Sequence, residues 1–537
     1  MDLNTLFKEL RSRRIFLKAA GEDIQYFSYV GPLPGMLRDA IAADKENILI
    51  ALREAVEYRA AVNEPIPVLP AQGYYELSHG QKRFVILDEL EAGVTTHNMF
   101  TSHSLTGKLD LQLLQKVFDL VIERHEILRT NFLKIDNAYR QVIKPGDAMG
   151  FKLLLLNWRG KENLEKNCGE LEKEELIRNF NLAEGPLFRA TLVQTGTDSY
   201  IFYLTLHHII SDGWSQEVLL KDVIYIYNAL ITGKDPDMSP LPIQYKEYAA
   251  WLNKKLESKE GVENEQYWLS QFRTEPALID LPSDFSRPAS KNHLGMSLSF
   301  DIETGQVHRL RQLGIRHGIT MYTFFFAVLK SLLYRYTGTE DITVGTPLAS
   351  RDHPQLANQI GFYVNTLAFR TQVNPKQTFR SLLMAIAERS NQHFRHQMYP
   401  FDLLVDKLGF RRNLARHPLF DIFFTYENAR DRKREMKLSD ISIKAMPVGH
   451  CMDKFDIEFT VIEDAEDRIE CYINYSTALF KKQRIERFAE NIITIFNQAL
   501  ANLDIRICDF ELPGEVASHL STNGLSELSG ELFDFGA

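Results

Sequence analysis

Cysteine is scarce in this chain. Cys168, Cys451, Cys471 and Cys508 are spread over 537 residues with no close pair among them. That spacing excludes a zinc ribbon and a dense disulfide framework, and the expectation is a reducing, cytoplasmic setting. Long apolar runs are missing as well. The nearest, Phe324-Phe325-Phe326-Ala327-Val328-Leu329, ends at Lys330, far short of the roughly 20 residues that span a bilayer. The first residues mix acids and bases at helical spacing and lack the apolar centre of a signal peptide. A strong charge of one sign is also absent: 62 Lys and Arg against 71 Asp and Glu leave a net charge of -9. That argues against nucleic acid as the main partner, and membrane is not expected either. The chain does carry 45% hydrophobic and 11% aromatic residues. At this length such a composition implies a soluble protein with more than one packed unit.

Residues 1–55 read as a small unit of their own. Leu3, Leu6, Phe7 and Leu10 share one helical face. The stretch from Ile15 to Ser28 reads as two short strands around a turn at Gly21, and helices follow from Met36 and over Lys45 to Glu54. Arg11, Arg13, Arg14 and Lys18 gather basic charge beside this hairpin. Their bland reading is a solvated surface; their functional reading is a cradle for an acidic peptide, with the hairpin edge open to an added strand. Residues 56–76 form a linker punctuated by Pro65, Pro67 and Pro70.

The main body follows, with lobes over 77–255 and 256–510. Leu111, Leu114, Val117, Phe118, Val121 and Ile122 make one helical stripe. Helices are expected near 304–317 and 320–336, and strands at 341–346, 364–373, 421–427, 455–462 and 468–476. Mixed helices and strands without strict alternation predict α/β sandwiches of the α+β kind, not a parallel barrel. Residues 511–537 contain no Lys or Arg but include Glu515, Glu527, Glu531 and Asp534. Such an acidic tail cannot bury enough to fold alone. It reads as a linker or as a short motif that docks on a downstream protein.

The most informative stretch is His207-His208-Ile209-Ile210-Ser211-Asp212-Gly213, which follows the apolar run Tyr200 to Leu206. It predicts a buried strand that ends at two histidines and a turn made by Asp212-Gly213, with a helix opening at Ser215. An imidazole held there lies near a helix N-terminus, where negative charge is stabilised. Acyl transfer fits such a place. A histidine with an ordinary pKa of about 6.5 accepts or positions a proton near neutrality.

His-His-x-x-x-Asp-Gly resembles the signature of the acyltransferase superfamily that includes chloramphenicol acetyltransferase and the condensation domains of nonribosomal peptide synthetases. Further segments come in the order that a condensation domain shows them. Ser78-His79-Gly80-Gln81-Lys82-Arg83 resembles the opening motif, although it has His79 and Gly80 where the family usually shows apolar or small residues, and Phe84 follows in place of the usual Leu-Trp. Arg124 to Phe132 resembles the second motif, Leu206 to Ser215 the third and Tyr245 to Trp251 the fourth. Ile360-Gly361-Phe362-Tyr363-Val364-Asn365-Thr366 resembles the fifth, His396 to Asp402 the sixth and Arg412 to Leu419 an altered seventh. The first unit is similar to the TubC-like N-terminal docking domains of assembly-line synthetases.

The resemblance implies two chloramphenicol acetyltransferase-like lobes in a V-shaped pseudo-dimer, with the histidine in a tunnel at their junction. It implies amide formation between an upstream acyl or peptidyl thioester and the amine of a downstream aminoacyl thioester. Both substrates would ride on 4'-phosphopantetheine arms of carrier proteins, with no cofactor or metal bound by the chain itself. The donor is already activated, so the protein must hold two arms, manage one proton and stabilise one oxyanion. His208 is the candidate active imidazole. His207, its strand neighbour, should face the other way and act structurally. Asp212 is implied to pair with Arg351, at the end of Val344 to Arg351, and to hold the active loop in shape. Gly213 allows close backbone approach, and its N–H is a candidate oxyanion donor. Arg124, His125, Glu126, Arg129, Asn365, His396, Tyr399 and His417 read as scaffold, and Phe324 to Phe326 as helical core.

The implied partners are an upstream carrier, a downstream carrier and an acidic C-terminal docking peptide of the upstream synthetase, with the chain itself a monomer. An epimerisation-type relative usually continues Val-Ser-Trp after the Gly, where this chain has Trp214-Ser215. The paired aspartates of a heterocyclisation domain are absent. A catalytically silent recruitment module usually loses the second histidine or the Asp, and both are retained here. A coenzyme A-dependent acyltransferase remains the other enzyme reading, although a free thioester would need no docking unit. The opening motif and the Trp214-Ser215 ending resemble the subtype taking an L-configured donor more than the one taking a D-configured donor. No adenylation signature and no carrier-type serine motif follows residue 503.

Overall fold

The computed structural model describes residues 6–7, 9–10, 15–21, 23–28, 33–62, 64–90, 95–288, 294–410, 415–429, 437–446, 450–452, 454–464 and 466–513. Arg11, Arg13 and Arg14 fall outside the described residues, as does the acidic tail from residue 514 on. Two compact units result: Met1–Pro67 with Arg351–Ala357, and Val68–Ser350 with Asn358–Ala537.

In the first unit, β1 (Ile15–Ala20) and β2 (Asp23–Ser28) pair antiparallel around Gly21, whose φ of 66° explains the glycine. Helices α1 (Gly35–Ala43) and α2 (Lys45–Val62) follow. Leu6, Leu10, Ile15, Leu33, Leu37 and Ile48 form the small core. Arg53 donates to Gly21 O at 2.9 Å and Lys45 to Asp23 at 2.6 Å, so the second helix holds the turn. That helix runs eight residues beyond the expected end at Glu54, since no Pro or Gly interrupts it before Pro65. Beyond it, Ile66 N donates to Gln355 Oε1 at 2.8 Å, and the His353 ring lies 2.9 Å from Glu64 O.

The second unit opens with β3 (Tyr75–Glu76), α3 (His79–Leu90), β4 (Asn98–Thr106) and α4 (Leu111–Arg124). The expected stripe of α4 is the face it buries, with Leu111 at its start half-buried. Next come β5 (Thr130–Ile135), β6 (Ala138–Ile143), β7 (Leu154–Asn157), α5 (Leu164–Ile177), β8 (Phe188–Gln194) and β9 (Ser199–His207). Helices α6 (Gly213–Ile231) and α7 (Tyr245–Leu256) end this half, and α8 (Lys259–Gln271) opens the next, with Trp268 packed near Leu367 and Phe401. The C-terminal half holds β10 (Leu294–Ile302), α9 (Thr304–His317), α10 (Met321–Thr337), β11 (Asp341–Leu348), β12 (Asn365–Gln372), α11 (Phe379–Arg395) and α12 (Phe401–Leu408). It closes with β13 (Ile422–Asn428), β14 (Lys437–Leu438), β15 (Ile441–Ala445), β16 (His450–Met452), β17 (Ile457–Glu463), β18 (Ile469–Ser476) and α13 (Lys482–Ala501). The helices and strands expected here from periodicity are all present, within a residue or two at most of their ends.

Each half has its own sheet. The C-terminal one orders its strands β12-β11-β13-β17-β18-β10-β16, and its core includes Phe324, Phe325 and Phe326, all 0% exposed. The N-terminal one is ordered β14-β15-β4-β9-β8-β7. Two of its strands therefore come from the C-terminal half: Ser442 pairs with Thr106 and Ala445 with His103. Leu438 and Ile441, 2% and 1% exposed, seat this crossing segment. The central strand β9 is buried along almost its whole length and delivers its last residue, His207, to the loop that carries the signature.

Candidate active site

The signature loop is built by backbone rules. His207 N donates to Leu187 O at 2.9 Å and His208 N to His97 O at 2.8 Å, so the strand end is held on both sides. A single 3-10 turn, His208–Ile210, follows, and α6 starts at Gly213 with Asp212 as its N-cap. The helix thus begins two residues before the expected Ser215, because the Asp212 carboxylate accepts the Ser215 N–H at 2.7 Å.

The two histidines carry opposite tautomers, and the backbone dictates both. His207 Nδ1 accepts the Ile209 N–H at 3.1 Å, so its proton sits on Nε2. His208 Nδ1 lies 2.8 Å from Ser211 O, a carbonyl that only accepts, so Nδ1 is the protonated atom and Nε2 keeps its lone pair. His207 is buried, whereas His208 is half-buried. Burial, then the positive charge of Lys454, push His207 down to about 3 and hold His208 well below the ordinary range. Burial likewise keeps His97 neutral, and it lowers Lys454 itself to about 8 against the opposing pull of Glu458.

Around His208 the surroundings are aromatic. The Phe84 ring stacks on it at 5.7 Å, and Phe362 meets it edge-on at 5.1 Å. Asp212, 2% exposed, spends its two oxygens on opposite halves of the unit. Oδ1 accepts from Ser215 N and from Ser215 Oγ at 2.6 Å, while Oδ2 accepts from Tyr363 N at 3.0 Å. Ser215 Oγ in turn accepts from Gly361 N at 3.0 Å. A Cβ on Gly361 would lie 2.1 Å from the Tyr245 ring, which explains that glycine. Tyr245 donates its hydroxyl to Phe362 O at 2.7 Å and receives that of Ser78 at 2.9 Å. Gln81 accepts Ser78 N and donates to Ile209 O at 3.4 Å. The first, third, fourth and fifth motifs therefore close on one another, and Arg83 with Asp402 at 3.0 Å brings in the sixth.

Gly213 is exposed, and a Cβ there would meet nothing within 4 Å. The chain's own packing does not demand glycine at this position; what remains is an open backbone at a helix N-terminus. Arg351 stands just after β11 and donates to Leu356 O at 2.7 Å. Lys18, on the hairpin, is exposed.

The residues read as scaffold have structural partners. His125 lies 2.7 Å from Asp222, Arg124 donates to Ser239 O at 2.7 Å, Glu126 is paired with Lys246, and Arg129 donates to Lys144 O at 2.7 Å. Asn365 holds Gln397 O and Tyr399 O, each at 2.8 Å. His396 stacks on Tyr267 at 4.0 Å, Tyr399 donates to Glu265 at 3.0 Å, and His417 stacks on Phe420 at 4.3 Å. Two further neighbours of the histidines escaped the sequence reading. Lys454 and His97 lie in no motif, and nothing in their local sequence marks them. Among the described residues, no group of His, Cys, Asp and Glu has a geometry to hold a metal ion, and no helix is long and apolar enough to cross a membrane.

Two lobes with this loop between them define a condensation-type acyltransferase fold, and comparison with known proteins bears this out. Residues 71–519 match the family model described as Condensation domain. Gramicidin S synthase 2 of Aneurinibacillus migulanus is 33% identical over 451 residues, which is 84% of this chain but 10% of that protein. The chain thus spans about a tenth of the length of such a relative. The X-domain in a solved complex with OxyB from teicoplanin biosynthesis superposes with a TM-score of 0.76 at 22% identity, covering 84% of this chain and 99% of that one. The first condensation domain of the calcium-dependent antibiotic synthetase, solved with a substrate analogue, gives 0.69 at 16% identity, covering 82% and 100%. The chain belongs to the condensation-domain family of nonribosomal peptide synthetases. The general function of that family is amide formation between carrier-bound substrates, without a cofactor of its own.

Two outcomes follow from this geometry. Asp212→Ala removes a helix cap, worth about 1 kcal/mol, and strands the buried Tyr363 N–H at about 1–3 kcal/mol more. Thermal unfolding should show a clearly lowered midpoint; an unchanged midpoint with lost activity would make the carboxylate a chemical participant instead. The second outcome concerns pH. His207 is neutral in the folded chain down to about 3, whereas the unfolded chain takes up that proton below about 6.5. Its stabilising contribution is complete above about pH 6.5 and is lost as pH falls from there toward 3. In His207→Asn, where Oδ1 takes over the Ile209 N–H, the pH-dependent part should vanish. Urea unfolding at pH 7.5 and 5 should show wild type losing up to about 2 kcal/mol more than the variant; parallel losses would count against it.

Proposed function

We propose that this chain joins the acyl or peptidyl thioester of an upstream carrier protein to the amine of a downstream aminoacyl thioester. The observation that carries this reading is the tautomer of His208, with Nδ1–H spent on Ser211 O and a lone pair left on Nε2. In the reaction the amine nitrogen attacks the thioester carbonyl and a C–N bond forms. The oxygen takes up negative charge, the C–S bond breaks, and the thiol of the donor arm leaves. Nε2 of His208 receives or orients the amine hydrogen, a role suited to an imidazole kept neutral by its surroundings. The Gly213 N–H, first in a helix of 19 residues, is placed in this reading against the oxyanion. Asp212 and Arg351 are assigned as a pair that shapes the loop, and His207 as structural. The lobes are taken as 77–255 and 256–510, with the reacting ends of both arms meeting at His208 in a tunnel.

Residues 1–55 are assigned as a docking unit for an acidic C-terminal peptide of the upstream synthetase, through Arg11, Arg13, Arg14 and Lys18. Exposed Phe16 and Tyr26 on the hairpin, 52% and 44% accessible, support a surface used for contact. The chain is taken to work as a cytoplasmic monomer.

His208→Ala should slow amide formation between two loaded carriers by about 10²–10⁴-fold, with a residual rate because proximity survives. Mass spectrometry of the arm-bound product measures it. Near-normal turnover of the variant would overturn the assignment and favour a recruitment role. Docking should weaken as salt rises, since screening shortens to about 10 Å at 0.1 M. Titration of the full chain with an acidic peptide tests this; affinity that ignores salt and survives charge reversal at Arg11 and Lys18 would refute the cradle.

A further inference from the structure

The imidazole of His208 is fixed about its own hydrogen bond by two phenyl rings, and those rings are fixed by each other. Phe84 lies nearly parallel to it, 22° between planes, and Phe362 nearly perpendicular, 88°. The two phenyl rings meet edge to face at 4.8 Å, a favoured aromatic geometry. Nδ1 to Ser211 O alone would let the ring rock about that bond; one face and one edge in contact leave it a single plane.

Gly80 stands one helical turn before Phe84 on the same face of α3. A Cβ on it would lie 2.3 Å from Cε1 and 2.6 Å from Cδ1 of Phe362. Gly80 has ordinary helical backbone, so no turn or left-handed angle calls for glycine. Within a helix it is less favourable than alanine. Space for the Phe362 ring is the reason left. Gly80 and Phe84 come from the first motif and Phe362 from the fifth, so the arrangement joins segments about 280 residues apart in the chain.

We infer that Phe84 and Phe362 are positioning residues that set the plane of the His208 imidazole so that Nε2 faces the reacting amine, and that Gly80 is the seat which admits Phe362. The inference rests on the reading of His208 as the group that handles the amine. It adds a dependence of the chemical step on residues that act through the His208 imidazole.

The test is a double-mutant cycle on the full chain with loaded donor and acceptor carriers. Gly80→Ala should push Phe362 off its seat and lower kcat by about 10- to 100-fold, the range expected of a misplaced reacting group, with KM for the carriers unchanged. Phe362→Leu should lower kcat in the same sense. Gly80→Ala combined with Phe362→Leu should recover about tenfold over Gly80→Ala alone, because the smaller side chain tolerates the added methyl. Circular dichroism and thermal unfolding confirm that each variant is folded. A Gly80→Ala protein with wild-type kcat, or losses that simply multiply in the double variant, would overturn the inference.

A second readout needs no turnover. Spectra of chains carrying 13C-labelled histidine, with His208 assigned by its loss in His208→Ala, report how that ring titrates. In Gly80→Ala the His208 signal should titrate closer to the ordinary histidine range, as water reaches a loosened ring; an unchanged titration refutes the seat. A wild-type chain that forms no amide with any loaded pair would sink the proposed function, while this spectroscopic arm would still decide the seat.

Discussion

The Asp212 carboxylate is the joint on which the candidate site depends. It caps α6, fixes the Ser215 hydroxyl and receives the Tyr363 N–H. The first two bonds are local, three residues along the chain; the third reaches 151 residues away. A buried carboxylate must find such donors, because leaving it without them costs far more than a lost hydrogen bond. The requirement acts as a constraint on geometry: the histidine loop and the Gly361–Tyr363 segment are placed so that both Asp212 oxygens receive donors. Tyr245 reinforces that placement, with one hydroxyl serving Phe362 O and Ser78.

The same loop gives two adjacent histidines different chemistry. Both are kept neutral, chiefly by burial. What separates them is which ring atom the backbone occupies. Ile209 offers an N–H to His207, while Ser211 offers a carbonyl to His208. A change from strand to 3-10 turn between them supplies this difference at no cost in side-chain identity. In the proposed reaction, the aromatic setting of His208 bears on what kind of helper it would be. A ring that resists protonation serves an amine better by orienting it and passing its hydrogen than by storing the charge of a full imidazolium.

Much of this was legible in the sequence because it is local or ordered. The periodic stripes of α4, α9 and α10 announced their helices, and the His-His-x-x-x-Asp-Gly run marked the loop by composition alone. The start of α6 was misjudged by two residues because Asp212-Gly213 reads equally as a turn and as a cap followed by an open first position. The extension of α2 to Val62 was missed because the motif ended sooner than the helical composition did. Strand β15 (Ile441–Ala445) was not among the expected strands, and nothing in its short alternation says that its partner is β4 and not a neighbour in its own half. Lys454 and Phe362 influence the histidine only through space, and spatial neighbours more than a hundred residues apart leave no mark in a single chain.

These long-range ties share a pattern. The carboxylate of Asp212, the Arg83–Asp402 pair, the Tyr245–Phe362 bond and the crossing strand β15 each join the two halves of the second unit, and the first three lie among the motifs. Ion pairs and single hydrogen bonds of this kind add little net stability once desolvation is counted. The large apolar cores of the halves supply that instead. Three polar ties around the loop, with the backbone pairing of β15 farther along β4, do what apolar packing cannot, because hydrogen bonds specify atoms and directions while a hydrophobic contact tolerates sliding. A reaction that needs two separately delivered substrates to meet at one nitrogen demands such directional control. The motifs are therefore better understood as the fasteners of one geometry than as a set of chemically active groups, with His208 the residue that this geometry presents.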